Sequence, residues 1–220
     1  MSSKIQLYSL ATPNGQKASV ALEEMGIPYD AHLIDFGKDE QHSPEFLKVN
    51  PNGKIPAIVD PESADGKPLA IMESGAILIY LAEKSGKFLS TNPRLRSETL
   101  QWLFFQVGGV GPMFGQFGHF FKFAKDKCKD PYPIKRYTDE SRRILGVLDQ
   151  RLNGRTYLVG DEYSIADMAN VTWVHALTTA YDAAETLGLK DFSHVAAWVD
   201  RIIKRPKTAA GLKVCGMPKS

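Results

Sequence analysis

The stretch Tyr8–Gly26, YSLATPNGQKASVALEEMG, sets a polar Thr-Pro-Asn-Gly turn between an apolar strand and an amphipathic helix. A strand-to-helix turn is a place where thiol chemistry can put a nucleophilic cysteine, because the helix N-terminus favours a thiolate. This turn has none. The two cysteines, Cys128 and Cys215, lie far apart and outside the N-terminal part, so neither a CxxC redox pair nor a zinc cluster is available. Any thiol chemistry has to use a thiol brought by a substrate. A second chemistry-bearing pair is Glu73-Ser74, at the junction of a strand and a helix. The first N–H groups of that helix are unpaired and attract an anion. Ser74 can then be a helix N-cap only, or it can donate to a ligand's carboxylate while Glu73 accepts from an ammonium; the residues alone leave both readings open. The five histidines (His32, His42, His119, His175, His194) show no pair at a helical ligand spacing of three or four, so no metal site is expected.

These residues need elements to position them. IQLYSL is β-prone, and QKASVALEEMG repeats apolar residues at Ala18, Ala21, Leu22 and Met25 before Gly26, a helical spacing with its stop signal. AHLIDF predicts a second strand, and SPEFLKVN a helix with Ser43 as N-cap and Pro44 at its first position. KIPAIVD and KPLAIME, separated by PESADG, predict an antiparallel hairpin, and SGAILIYLAEKSG a third helix. The order β-α-β-α-β-β-α is that of an α/β thioredoxin-like domain, assigned to 1–87. KFLSTNPRLR reads as a linker, after which only helical patterns follow and an all-α domain is assigned to 96–220.

Within that second part, YSIADM pairs Ser164 with Asp167 as an acidic capping box, and Asp167 is read as structural. GGVGPMFGQFGHFF follows a helix and matches no phosphate-loop pattern. Gly108, Gly109, Gly111 and Pro112 instead predict a bent or broken helix that exposes aromatics to a cleft. The run Phe114, Phe117, Phe120, Phe121 and Phe123 reads first as core or interface, and otherwise as lining of a substrate pocket.

At 220 residues, 43% hydrophobic and 24% charged, the chain has the composition of an ordinary globular protein. Its 27 Lys and Arg against 25 Asp and Glu offer no electrostatic reason for a nucleic-acid or membrane partner. Apolar runs fall short of the roughly 20 residues a spanning helix needs, and MSSKIQ lacks an apolar signal core, so a cytoplasmic location is expected.

TPNGQK, QHSPEFLKVNPNGKIPAIVD, ESGAILIYLAEKSG, LQWLFFQVGGVGPMFGQ and YSIADM, taken together, resemble the cytosolic glutathione transferases, specifically the nu class and its nitrogen-regulator-like branch. The resemblance covers nearly the whole chain. It implies that Thr12, through its hydroxyl, and Asn14, through its side-chain NH₂, face the sulfur of glutathione and favour its thiolate. Tyr8 and Ser9 are rival activators, since other classes use a Tyr or Ser near the end of the first strand. Glutathione itself would be held by Glu73 and Ser74 at its γ-glutamyl end and by the backbone of Ile55, before a cis Pro56, at its cysteinyl part. Gln41 and Lys54 match contacts to the glycyl end, and Arg136 matches a further polar contact; Lys54 and Arg136 read otherwise as solvated surface charges.

The expected function is that of a glutathione-dependent disulfide-bond oxidoreductase, with two glutathiones bound per active site in the related class. Alternatives are conjugation of glutathione to small electrophiles against an apolar wall of Phe114 and Phe117, and a non-enzymatic regulatory or interaction module on the same fold. The resemblance also implies a homodimer. Cys128 and Cys215 are read as thiols without catalytic duty.

Overall fold

A computed structural model of the chain describes residues 4–216. Strand β1 (Ile5–Ser9) leads into α1 (Pro13–Met25). Thr12 caps that helix, Pro13 opens it where no N–H is needed, and Gly26 closes it at φ 71°. Strand β2 (Tyr29–Leu33) follows, then α2 (Pro44–Val49), β3 (Ala57–Asp60), β4 (Leu69–Met72) and α3 (Ser74–Ser85). The order is the expected one, and α2 begins at the Ser43 cap and Pro44 as read. The second strand lies nearer the N-terminus than AHLIDF suggested, because Asp35 accepts from the Gly37 N–H and turns the chain into a short 3₁₀ segment at Phe36.

The sheet order is β2-β1-β3-β4, with β1 and β2 parallel and the other neighbours antiparallel. On one face Ile5, Leu7 and Ile58 are fully buried, on the side covered by the packed helices α1 and α3. On the other face, Ile34, Phe46, Ile55 and Ala57 form a cluster joined by Tyr8, Leu10 and Val49. Period-two alternation along β1 sorts its side chains between these two faces.

By packing, the chain divides into two compact units, Met1–Leu89 with Arg205–Ser220, and Ser90–Lys204. The last stretch therefore goes with the first unit, although 96–220 was assigned to the second domain. Helix α9 (Pro206–Gly211) lies so close to α1 that a Cβ on Gly211 would stand 2.6 Å from the Val20 Cα. Arg205 grips Glu24 through two hydrogen bonds of 2.9 and 2.7 Å.

The second unit holds α4 (Pro93–Phe105), α5 (Gly111–Gly118), α6 (Pro131–Leu152), α7 (Ile165–Thr179) and α8 (Ser193–Ile203). Helix α4 starts inside the expected linker, capped by Asn92. Of the two readings of the glycine-rich segment, bent or broken, a break is excluded because the helix continues through it. Gln106–Val110 is a wide π-helical turn whose residues keep right-handed backbone angles and pass directly into α5, with Pro112 in the first turn. The glycines make room for α7 and the chain after it: a Cβ on Gly115 would meet the Trp173 ring at 3.2 Å, and one on Gly118 the Tyr181 ring at 2.4 Å. The capping box is present. Asp167 accepts from the Ser164 N–H and hydroxyl, the Leu158 N–H and the Trp198 indole.

Candidate functional site

Register brings the predicted residues of the first unit to one end of the sheet. Tyr8 pairs with Ala57, and Ala57 with Met72. One step further along the ladders, the end of β1 before Thr12 therefore meets Ile55-Pro56 before β3, and Glu73 after β4. The Ile55-Pro56 bond is cis.

Thr12 has an identifiable local task. Its Oγ1 accepts from the Gly15 N–H at 3.2 Å, which uses one lone pair of a hydroxyl that still carries its own hydrogen to donate. Asn14 sits in the first turn of α1. The rival Ser9 is closed off: it is 1% exposed, and its Oγ lies 3.4 Å from the Leu10 carbonyl, under Gly15. Tyr8 stacks on His32 at 4.8 Å between ring centres and tilts against Phe46, so its ring belongs to the apolar cluster.

Gln41 and Lys54 are brought together by two loops that touch. A Cβ on Gly53 would meet the His42 ring at 3.1 Å and the Gln41 carbonyl at 3.2 Å. Asn50, which the sequence reading passed over, organises the second loop. Buried, it donates to the Lys54 carbonyl at 2.6 Å and accepts from the Asn52 N–H at 3.0 Å. Gln41 donates to Asp39 at 2.8 Å, which orients its amide, and its Oε1 is a buried acceptor with no donor among the described residues. Lys54 is exposed.

Glu73 is exposed and holds φ 69°, a left-handed conformation that is uncommon for a residue with a Cβ and concentrates at functional positions. It is the N-cap residue of α3 without a capping side-chain bond, so the helix N-terminus is not closed by its own cap. Ser74 is nearly buried, and its Oγ accepts from Lys17 Nζ at 3.1 Å. Lys17, on α1, is 2% exposed. Burial pushes its ammonium down to about 7, with the charge of Glu73 pulling it back up. The sequence reading missed it: spacings of three and four from Val20 and Ala21 set it beside the apolar stripe, and only the fold shows that it is covered.

Arg136 lies in the second unit, exposed on α6, where its charge helps hold the Glu140 carboxyl below its usual range after the direct bond from Arg143. Of the two readings of Phe114 and Phe117, core and substrate-facing wall, their burial favours the first: both are fully buried, and Phe121 stacks on Phe117 at 5.0 Å. Cys215 lies nearer the Thr12 turn than its sequence position suggests, since its carbonyl accepts from the Ala11 N–H at 3.0 Å. Burial pushes its thiol up, which makes it a poor nucleophile at neutral pH. Among the described residues no three His, Cys, Asp or Glu converge as a metal-binding group, and no helix is long and apolar enough to cross a membrane.

Profiles of the glutathione S-transferase N-terminal and C-terminal domains match residues 11–84 and 111–206. A relative from Escherichia coli (strain K12), named disulfide-bond oxidoreductase YfcG, is 48% identical over 209 residues, 94% of each chain. A glutathione transferase family member from Pseudomonas fluorescens pf-5, solved with two glutathiones bound, superposes with a TM-score of 0.95 at 50% identity, covering 96% of this chain and 93% of the other. A glutathione transferase from Pseudomonas putida, solved with one glutathione disulfide per subunit, does so with a TM-score of 0.94 at 51% identity, covering 96% and 91%.

Proposed function

Because this chain belongs to the glutathione S-transferase family, we propose that it is a glutathione-dependent disulfide-bond oxidoreductase that works with its substrate's thiol and no cysteine of its own. The observation that carries this reading is the sheet end itself. A capped helix start bearing the Thr12 hydroxyl, the cis Pro56 loop and the α3 N-terminus with Glu73 and Ser74 meet there, while the cysteine of that unit, Cys215, has its thiol pushed up by burial. Relatives solved with two glutathiones and with glutathione disulfide hold the reduced and oxidised ends of one exchange.

A free thiol titrates at about 8.5, so the enzyme has to favour the thiolate with aimed donors. Thr12 and Asn14 serve that role. Glu73 takes the ligand's ammonium and Ser74 with the α3 N–H groups its γ-glutamyl carboxylate. The Ile55 backbone pairs with the cysteinyl part, and Gln41 and Lys54 hold the glycyl end. The bound thiolate attacks a disulfide, forming a mixed disulfide and releasing one substrate thiolate. A second glutathione thiolate attacks the glutathione sulfur of that mixed disulfide, giving glutathione disulfide and the second substrate thiolate. Two electrons and two protons pass from two glutathiones to one disulfide.

Glutathione reduces disulfides in a reducing compartment, which suits a cytoplasmic protein. A homodimer is part of the same reading, supported by the exposed apolar side chains Leu95 and Phe104 on α4. The deciding experiment measures reduction of hydroxyethyl disulfide by glutathione. The double variant Thr12→Ala/Asn14→Ala should lose about a hundredfold in kcat, while Cys128→Ser/Cys215→Ser should retain the activity. Unchanged activity in the first, or loss in the second, sinks the proposal. Conjugation of a chloronitrobenzene without disulfide reduction returns the protein to the conjugating transferases.

A further inference from the structure

Lys17 does something that packing does not require. It is 2% exposed on a face of α1 whose neighbours Ala18, Val20, Ala21 and Leu22 are fully buried. A Met or Leu would fill similar space without the cost of desolvating an amine, and replacing buried ionic groups by apolar ones of like volume is often neutral or stabilising. Its Nζ donates to Ser74 Oγ, 3.1 Å away, and feels the charge of Glu73. Those are the two side chains at the N-terminus of α3 that meet the zwitterionic end of the ligand in the function proposed above.

We infer that Lys17 is a positioning residue that makes the site selective for γ-glutamyl thiols, by acting through Ser74 and Glu73 from behind the pocket wall. As donor to Ser74 Oγ it occupies an acceptor lone pair, which leaves the serine's own hydrogen for the ligand carboxylate. As a buried positive charge it offsets Glu73 beside that carboxylate, so an anion is bound next to an anion without net repulsion. Burial, partly offset by the charge of Glu73, brings the Lys17 ammonium down to about 7, and a carboxylate arriving at Ser74 draws it into the charged form. The inference rests on the proposed glutathione site.

The test compares glutathione with cysteinylglycine, which carries the same thiol but lacks the γ-glutamyl group, as reductants of hydroxyethyl disulfide. Lys17→Met should raise KM for glutathione about ten- to a hundredfold, the scale of a charge-assisted contact, with the loss in KM rather than kcat. The ratio of kcat/KM for glutathione over cysteinylglycine should fall at least tenfold. Ser74→Ala should lower the same ratio, and in the Lys17→Met/Ser74→Ala double variant the two losses should not add. If Lys17→Met does not fold, Lys17→Gln, which keeps a donor without the charge, is measured in the same way and should show a smaller loss of the same sign. A wild-type protein that does not prefer glutathione over cysteinylglycine overturns the parent reading and this inference with it. A wild-type preference that survives the Lys17 variants intact overturns the role of Lys17 alone.

Discussion

At Gly15 a single methyl group reaches the chemistry. A Cβ there would stand 1.9 Å from the Leu10 carbonyl and 2.5 Å from Ser9 Oγ, and neither backbone nor buried hydroxyl can give way cheaply. Gly15→Ala should therefore displace the turn bearing Thr12 and Asn14, lowering both the melting temperature and disulfide reductase activity, the latter by tenfold or more; a variant with wild-type activity would show that the turn tolerates movement. Thr12 caps α1 and in the proposed mechanism also donates to the thiolate, and substitutions can separate the two tasks. Thr12→Ser keeps the bond to the Gly15 N–H and the donor, whereas Thr12→Ala loses both, with a cap contribution of about 1 kcal/mol. Denaturant melts read the cap, and the pH dependence of kcat/KM reads the thiol: only the alanine variant should shift the thiol's apparent pKa upward. The cap is legible from Thr-Pro before a helical pattern. Lys17 is not, because a lysine beside an apolar stripe reads as a snorkelling surface charge until the facing helix is in place.

At the scale of elements, two junctions carry measurable weight. Asp167 gathers four donors from Ser164, Leu158 and Trp198 in the buried interior of the helical unit. Asp167→Ala strands those groups, and a loss of about 3–5 kcal/mol is expected in denaturant unfolding, with KM for glutathione of the folded fraction unaltered. The second junction is the seam of α9 on α1. Gly211 lies against the Val20 backbone, and its carbonyl accepts from Ser19 Oγ at 2.8 Å. Gly211→Val should pry this seam open, lowering the melting temperature; because the same segment holds Ala11 through the Cys215 carbonyl, kcat should fall too. Retained kcat with a lowered melting temperature would limit the seam to stability. The capping box is readable as a spacing of three. The seam is not, since 192 residues separate Ser19 from its partner and nothing local announces the pairing.

For the molecule as a whole, the buried lysine ties stability to pH. A lysine ordinarily titrates at 10.5, and Lys17 in the fold at about 7. Below about 7 both folded and unfolded chains are protonated, and the fold bears the full cost of a buried charge. Between that point and 10.5 the folded state has shed a proton that the unfolded chain keeps, so the cost is relieved as pH rises. The stability of the wild type relative to Lys17→Met should climb from pH 7 to 10, and a flat difference in denaturant melts would contradict the burial of a titrating amine. Assembly is a second property of this scale. If the chain forms the homodimer proposed above, replacing Phe104, 62% exposed on α4, by Glu should leave a monomer in light scattering. The order of strands and helices, the Ser43 and Ser164 caps, the absence of a thiol at the turn and the resemblance to glutathione transferases followed from the sequence by itself, because each depends on residue type and short spacing. Tertiary structure alone decided which end of the sheet gathers Thr12, Ile55 and Glu73, that Ser9, Phe114 and Phe117 are shut inside, that the last helix returns to the first unit, and that Lys17 stands behind Ser74. Those outcomes depend on strand register and on packing between segments far apart in the chain, where the identity of a residue does not say what will cover it.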